Sequence, residues 1–148
     1  MKKIFLATSF SGQVDAEGKI LPGYKKFVND IIPALREEYE VFCAAEYEGW
    51  QYYHSTAEAG VEKDVEEIDK ADILLALLHE KISGGIHIEI GYALGRGKEV
   101  ILVTDGNKLS YFTGGLADLH KVTHLEYRNP KALAEQVKQL DSPKPASA

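Results

Sequence analysis

The sequence predicts a single doubly wound α/β domain of the flavodoxin or Rossmann-like kind, with a mostly parallel five-stranded sheet, over residues 1–141. Strand-like and helix-like segments alternate along the chain, the pattern produced by parallel strands joined through crossover helices. The run Ile73-Leu74-Leu75-Ala76-Leu77-Leu78 is apolar without interruption, as a strand covered on both faces must be. A length of 148 residues, with 45% hydrophobic and 27% charged side chains, suits one buried core.

In order, Ile4-Phe5-Leu6-Ala7 forms the first strand and ends in the polar turn 8–12. A loop (13–23) precedes a helix over 24–39, whose Phe27, Ile31, Ala34 and Leu35 recur at helical spacing. A short strand covers 41–45. The loop 46–56 carries Tyr47, Trp50, Tyr52 and Tyr53, and a helix follows over 57–70. After the central strand, a glycine-containing loop (79–87) leads into a short helix over 88–96, where Gly91, Gly95 and Gly97 are expected to allow close helix–sheet packing. Strands over 100–104 and 124–127 and a helix over 130–140, opened by Pro130, complete the domain. Residues 142–148 read as a disordered tail.

Composition narrows the function. The formal net charge is −6 and the basic residues are scattered, which argues against a nucleic-acid polymer as partner, because backbone phosphates need a dense basic patch. A single nucleotide, held by a few backbone N–H groups, is compatible. The lone Cys43 lies in an apolar run and reads as core, and the five His are dispersed, so neither disulfide nor metal site is expected. No cofactor is called for. The N-terminus lacks signal-peptide features and no apolar stretch approaches the ~18 residues of a membrane span, so the expected location is cytoplasmic.

In an open parallel sheet, ligands bind beyond the carboxyl ends of the strands. Three segments meet there: 8–12, 46–50 and 79–89. Ser83-Gly84-Gly85 can wrap backbone N–H groups around an anion at the positive end of the following helix. Glu89, placed in the first turn of that helix, reads either as a helix-stabilising acid or as a reactive carboxylate. On the helix over 57–70, Val61, Val65 and Ile68 mark the inner face and Asp64 falls on it, whereas Glu62, Lys63, Glu66, Glu67 and Lys70 point outward. A carboxylate on a core-facing surface is costly unless paired or set in a cleft. Two such acids suit a nucleophile and a proton donor; a buried Asp capping a loop is the other reading. His87 touches either substrate or loop backbone, and Trp50 either stacks on a base or fills its loop.

The stretch Ser83-Gly84-Gly85-Ile86-His87-Ile88-Glu89-Ile90-Gly91-Tyr92-Ala93-Leu94-Gly95-Arg96-Gly97-Lys98 resembles the signature of the nucleoside 2-deoxyribosyltransferase superfamily. Asp64-Val65-Glu66-Glu67-Ile68-Asp69-Lys70-Ala71-Asp72 is similar to the helix that precedes it in the family, and Ile4-Phe5-Leu6-Ala7-Thr8-Ser9-Phe10 to the family's first strand and turn. The likeness runs in consistent order from about residue 3 to 119. It implies Glu89 as the glycosyl-accepting nucleophile, Asp64 working beside the base, and Phe5, Ser9, Phe10 and the turn around them contacting the nucleoside. Ser83, six residues before Glu89, matches the nucleotide N-hydrolases, where serine binds a 5′-phosphate, and not the transferases, which carry aspartate there. A hydroxyl donates to a phosphate dianion that a carboxylate would repel.

The pattern through Ser83, Gly85, His87, Glu89, Ile90 and Gly91 looks most like the branch that hydrolyses CMP and hydroxymethyl-CMP. Glu48 and Trp50 resemble that branch's acidic–aromatic pair. Tyr111-Phe112-Thr113-Gly114-Gly115-Leu116 resembles a segment that reaches a neighbouring subunit's site, which implies a homodimer or larger assembly with shared sites, in which Thr113 donates its hydroxyl to the neighbour's substrate phosphate. The chain departs from both hydrolase branches in carrying Ser11 where they place an arginine, with Lys25 and Arg96 as alternative cations. The resemblance implies an N-glycosidase acting on a nucleoside 5′-monophosphate, a small-molecule nucleotide. The rival readings are a base-exchanging deoxyribosyltransferase and a non-catalytic nucleotide sensor.

Overall fold

The computed structural model describes residues 1–51, 55–79, 81–119 and 121–141. The tail 142–148 and the loop tyrosines Tyr52 and Tyr53 lie outside the described residues. Strands β1 (Lys3–Ala7), β2 (Glu40–Cys43), β3 (Ile73–Leu78), β4 (Glu99–Thr104) and β5 (Val122–Glu126) form one sheet in the order β2-β1-β3-β4-β5. Every pairing is parallel. The order reverses between β1 and β3, and crevices at such reversals are where ligands bind in this architecture.

Alternation along the strands builds two cores. Ile4 and Leu6 of β1 face α1 (Pro22–Arg36) and α6 (Pro130–Asp141), packing with Val28, Ile31, Leu35, Leu133 and Val137. Phe5 and Ala7 face the opposite side, where α3 (Ala57–Lys70) and α4 (Gly84–Gly95) contribute Ile68, Ile86, Ile90 and Ala93. All six residues of β3 are buried, as expected for the strand at the sheet centre. No helix among the described residues is long and apolar enough to cross a membrane.

Several boundaries differ from expectation for local reasons. Helix α1 starts at Pro22, whose fixed φ suits a first turn, and stops at Arg36. Ala44 and Ala45, expected at the end of the second strand, instead open the one-turn helix α2 (Ala44–Tyr47), consistent with alanine's helical preference. Arg36 anchors this corner by donating to the Val41 carbonyl at 3.1 Å and to Glu46 at 3.0 Å. Helix α4 begins four residues before the expected 88, at Gly84, with Ser83 as an extended N-cap. Glu89 therefore sits in the second turn and not the first. The connection after β4 contains a further helix, α5 (Tyr111–Leu116), capped by Ser110 accepting from the Thr113 amide. Glu67, expected to face solvent, is buried and paired with Lys3 and Lys63. Val61, expected inward, is exposed. Gly91 and Gly95 are exposed, with open space where a Cβ would stand, so they do not serve helix–sheet packing.

Gly12 is different. It belongs to a single 3-10 turn (Ser11–Gln13), and a Cβ there would lie 2.3 Å from the Lys81 carbonyl oxygen. Lys81 itself holds a left-handed φ of 56° on the loop leading to Ser83. The two loops beyond β1 and β3 are thus in backbone contact. Gly12→Ala should destabilise the fold by about 1–3 kcal/mol through forced displacement of that loop. Gly91→Ala, in open space within a helix, should stabilise it by about 0.5–1 kcal/mol. Urea unfolding of both variants checks the pair; equal midpoints would contradict the contact.

Candidate active site

A cleft opens at the reversal point between β1 and β3, floored by Phe5, Leu6 and Ala7 and walled by α3 and α4. It has two lobes. The first, about 240 Å³, is mostly apolar and holds Asp64, Ser83, Gly85, Glu89 and Tyr92 in its lining. The second, about 270 Å³, is more polar and is lined by Glu48, Gln51, Ser55 and Thr56. Phe10, Ala44, Val61 and Asp64 border both, so the lobes are continuous. Volumes of this order suit a small organic ligand.

Asp64 and Glu89 meet within the first lobe. α3 presents Asp64 from one wall and α4 presents Glu89 from the other, and the two carboxyl groups hydrogen-bond. Burial pushes the Asp64 carboxyl up to about 6; the bond from Glu89 opposes this and the charge of Glu48 reinforces it. Glu89 is raised well above the ordinary 4.5, first by burial, then by the charge of Asp64 and by donating its proton to it. Two carboxylates this close in an apolar wall cannot both ionise cheaply, so the pair retains a proton near neutral pH.

Ser83 caps α4 without bonding its hydroxyl to the helix. Its amide donates to the Ser9 Oγ at 3.2 Å, and the Ser9 amide donates to the Tyr24 hydroxyl at 2.9 Å. Ser9 and Tyr24 are both buried. The first-strand turn is thereby tied to the start of α4. Gly84 and Gly85 form the first turn of α4 with no side chain to block their N–H groups, and a Cβ at either would meet open space. The opening of α4 can accept an anion in this arrangement.

The structure gathers Phe5, Phe10, Glu48, Asp64, Ser83, Gly85 and Glu89 around the cleft. Other expected residues stand apart. Ser9 is behind the cleft, linking Ser83 to Tyr24. Ser11 is exposed on the 3-10 turn. Trp50, at φ 63°, packs against the core on the α1 side with the Lys25 Nζ 5.7 Å from its ring centre. His87 is exposed, its Nδ1 3.3 Å from the Ser83 carbonyl, which matches the loop-backbone alternative. Thr113 is buried in α5, with its hydroxyl 2.7 Å from that of Ser110. Lys25 over Trp50 and Arg96 paired with Asp69 are both engaged away from Ser83.

Gln51, Thr56 and Tyr92 line the cleft without having been expected there. Tyr92 lies three residues after Glu89 and so on the same helical face, a signal the spacing carried.

Residues 23–140 match the model of a family described as nucleoside 2-deoxyribosyltransferase. Among solved structures, the chain is similar to BlsM, at 26% identity and a TM-score of 0.73, over 99% of this chain and 98% of that one. It is also similar to the CMP N-glycosidase BcmB of Clostridium botulinum, at 24% identity and a TM-score of 0.67, over 93% of this chain and 99% of that one. A 2-desoxiribosyltransferase from Leishmania mexicana aligns at 18% identity and a TM-score of 0.52, over 78% of this chain and 72% of that one. No curated protein matches the sequence significantly.

The raised carboxyls make a testable electrostatic signature. A carboxyl whose folded pKa exceeds its unfolded value binds more protons when folded, so its contribution to stability is full at low pH and is lost as pH rises through the folded pKa. The pair should therefore cost stability as pH rises from about 4 through 6 and beyond. Asp64→Asn should stabilise the protein at pH 7 by about 1 kcal/mol after allowance for screening in the open cleft, and Glu89→Gln should stabilise it in the same direction. Thermal unfolding across that range is the measurement; destabilisation of both variants at pH 7 would contradict the assignment.

Proposed function

The chain belongs to the nucleoside 2-deoxyribosyltransferase family, and we propose that within this family of nucleoside-processing enzymes it is an N-glycosidase of nucleoside 5′-monophosphates. The observation that carries the reading is the Asp64–Glu89 pair, two carboxyl groups brought together in a cleft at the sheet's carboxyl edge and both pushed up by burial. The substrate's phosphate sits at the start of α4, against the Ser83 hydroxyl and the N–H groups of Gly84 and Gly85. Its base extends toward the second lobe and Glu48, a placement that favours a pyrimidine nucleotide such as CMP or hydroxymethyl-CMP.

The reaction runs in two displacements. As Glu89 attacks C1′, the proton it shares passes to Asp64. The C1′–N bond breaks through an oxocarbenium-like transition state, the C1′–Oε bond to Glu89 forms, and Asp64 gives its proton to the departing base. Water then attacks C1′ with Asp64 taking its proton, and Glu89 leaves as carboxylate. The products are a free base and a sugar 5-phosphate, and no group other than protein and water takes part.

Two features favour water over a second base as acceptor. Ser83 stands where aspartate would repel a phosphate, and the catalytic lobe is small. The BcmB likeness supports the same substrate class. The exposed Tyr111, Phe112 and Leu119 on and after α5 suit a subunit interface, and the proposed working unit is a homodimer or larger assembly in the cytoplasm.

A screen of nucleoside 5′-monophosphates for free-base release tests the function directly. At least one should be cleaved, with the matching nucleoside a poor substrate. Glu89→Gln should lose about 10³-fold or more in turnover. Ser83→Ala should weaken nucleotide binding by about 1–3 kcal/mol, the cost of removing a bond to a charged group. Equal cleavage of nucleoside and nucleotide would remove the phosphate from the reading, and sugar transfer to an added base in preference to water would favour the transferase.

The assembly is tested by sedimentation at low micromolar concentration. A fully active 16.4 kDa monomer would refute it.

A further inference from the structure

The cavity between α3 and α4 raises a mechanical question. Ile68, Ile86 and Ile90 pack α3 and α4 onto the sheet, but the Asp64–Glu89 contact spans a cleft that no apolar side chain fills. Polar contacts beside the cleft add a second constraint on the spacing. Five residues beyond Asp64 on α3 lies Asp69. Its Oδ1 accepts from the Tyr92 hydroxyl at 2.8 Å and from the Arg96 Nε at 2.9 Å. Its backbone carbonyl accepts from the Lys98 Nζ at 2.9 Å. Tyr92 and Arg96 both follow Glu89 on the same stretch of chain, Tyr92 within α4 and Arg96 at its C-cap. Three bonds thus converge on one residue of α3 from the end of α4 and the turn after it.

We propose that Asp69 is a positioning residue, whose carboxylate clamps Tyr92 and Arg96 so as to fix the separation of α3 and α4 and hold the Asp64 and Glu89 carboxyls in contact. Asp69 itself lines neither lobe of the cleft and touches no reacting atom. Among the described residues, the charges that bear on the carboxyl pair are those of its two members and Glu48, and neither Asp69 nor Arg96 is among them. Removing the clamp therefore alters the pair through distance and not through a lost charge. Exposed ion pairs are individually weak, but a hydrogen-bonded network spanning two elements is more sharply directional than its members. The effect on catalysis rests on the function proposed above; the effect on the pair does not.

The test is the titration of the two carboxyls by carbon-13 NMR in the intact chain, alongside base-release kinetics. Asp69→Ala preserves helix propensity, so α3 should persist. The upper apparent pKa of the pair should fall by about half a unit or more as the contact loosens. kcat should fall about fivefold or more with KM changed less than about twofold. Asp69→Asn, which keeps an acceptor for Tyr92 and Arg96, should stay near wild type in both. An Asp69→Ala protein with a lower unfolding midpoint but an unchanged titration would make the cluster merely structural and overturn the proposal. Equal impairment in Asp69→Asn would do the same, because charge and not the clamp would then be responsible. A shifted titration in a protein whose wild type releases no base would support the clamp while removing the proposed function.

Discussion

Asp64 and Glu89 face one another across an apolar gap, and two carboxyl groups in that position must share a proton or be driven apart. In bulk water the repulsion between two such charges would be about 1 kcal/mol, but it grows several-fold in the low-dielectric wall of a protein. A fold that keeps the pair in place bears this cost continuously. The surrounding structure supplies what holds it: Ile68, Ile86 and Ile90 anchor the two helices to β1 and β3, while the cavity they leave open admits a ligand between them. In the proposed reaction that cost has a use, since a carboxyl held toward its protonated form is an acid available to a leaving group.

Placement of the pair follows from parallel-sheet geometry. All five strands end on the same edge, so the turns after β1, β2 and β3 converge there whatever their sequences. Chain reversal between β1 and β3 separates the crossovers and leaves the crevice. What the sequence adds is detail at the turns. Gly12 lets the 8–12 turn lie against the Lys81 carbonyl, Ser9 takes the Ser83 amide, and the glycines after Ser83 expose the first amides of α4. Each device acts on the loop that carries Ser83, and so on the start of α4, the helix that also carries Glu89.

Much of this was legible in the chain. The apolar run of β3, the alternation of strands and helices, and the position of Asp64 on the inner side of α3 follow from spacing alone. The start of α4 did not, because Gly84-Gly85 reads locally as a loop, and only the N-cap at Ser83 together with packing of Ile86 draws it into a helix. Glu67 was misplaced because helical periodicity cannot see Lys3 arriving from β1. Trp50 and Thr113 were given substrate roles from resemblance. Both side chains have partners within this subunit, Lys25 over one and Ser110 bonded to the other, which no pattern in the sequence marks. The pairing of Asp69 with Tyr92 and Arg96 was equally invisible, since it joins positions more than twenty residues apart.

In the proposed reaction Glu89 forms a bond to the sugar while Asp64 manages the proton. The most direct measurement is mass spectrometry of the intact protein and its peptides after incubation with a 2′-fluoro-substituted nucleoside 5′-monophosphate. The electron-withdrawing fluorine destabilises the oxocarbenium-like transition states and slows hydrolysis of a glycosyl ester, while a good leaving base still permits its formation. One fluorosugar phosphate should be found per chain, on the peptide containing Glu89, and Glu89→Gln should carry none. Steady release of base with no adduct on Glu89, or an adduct on another residue, would contradict the assignment.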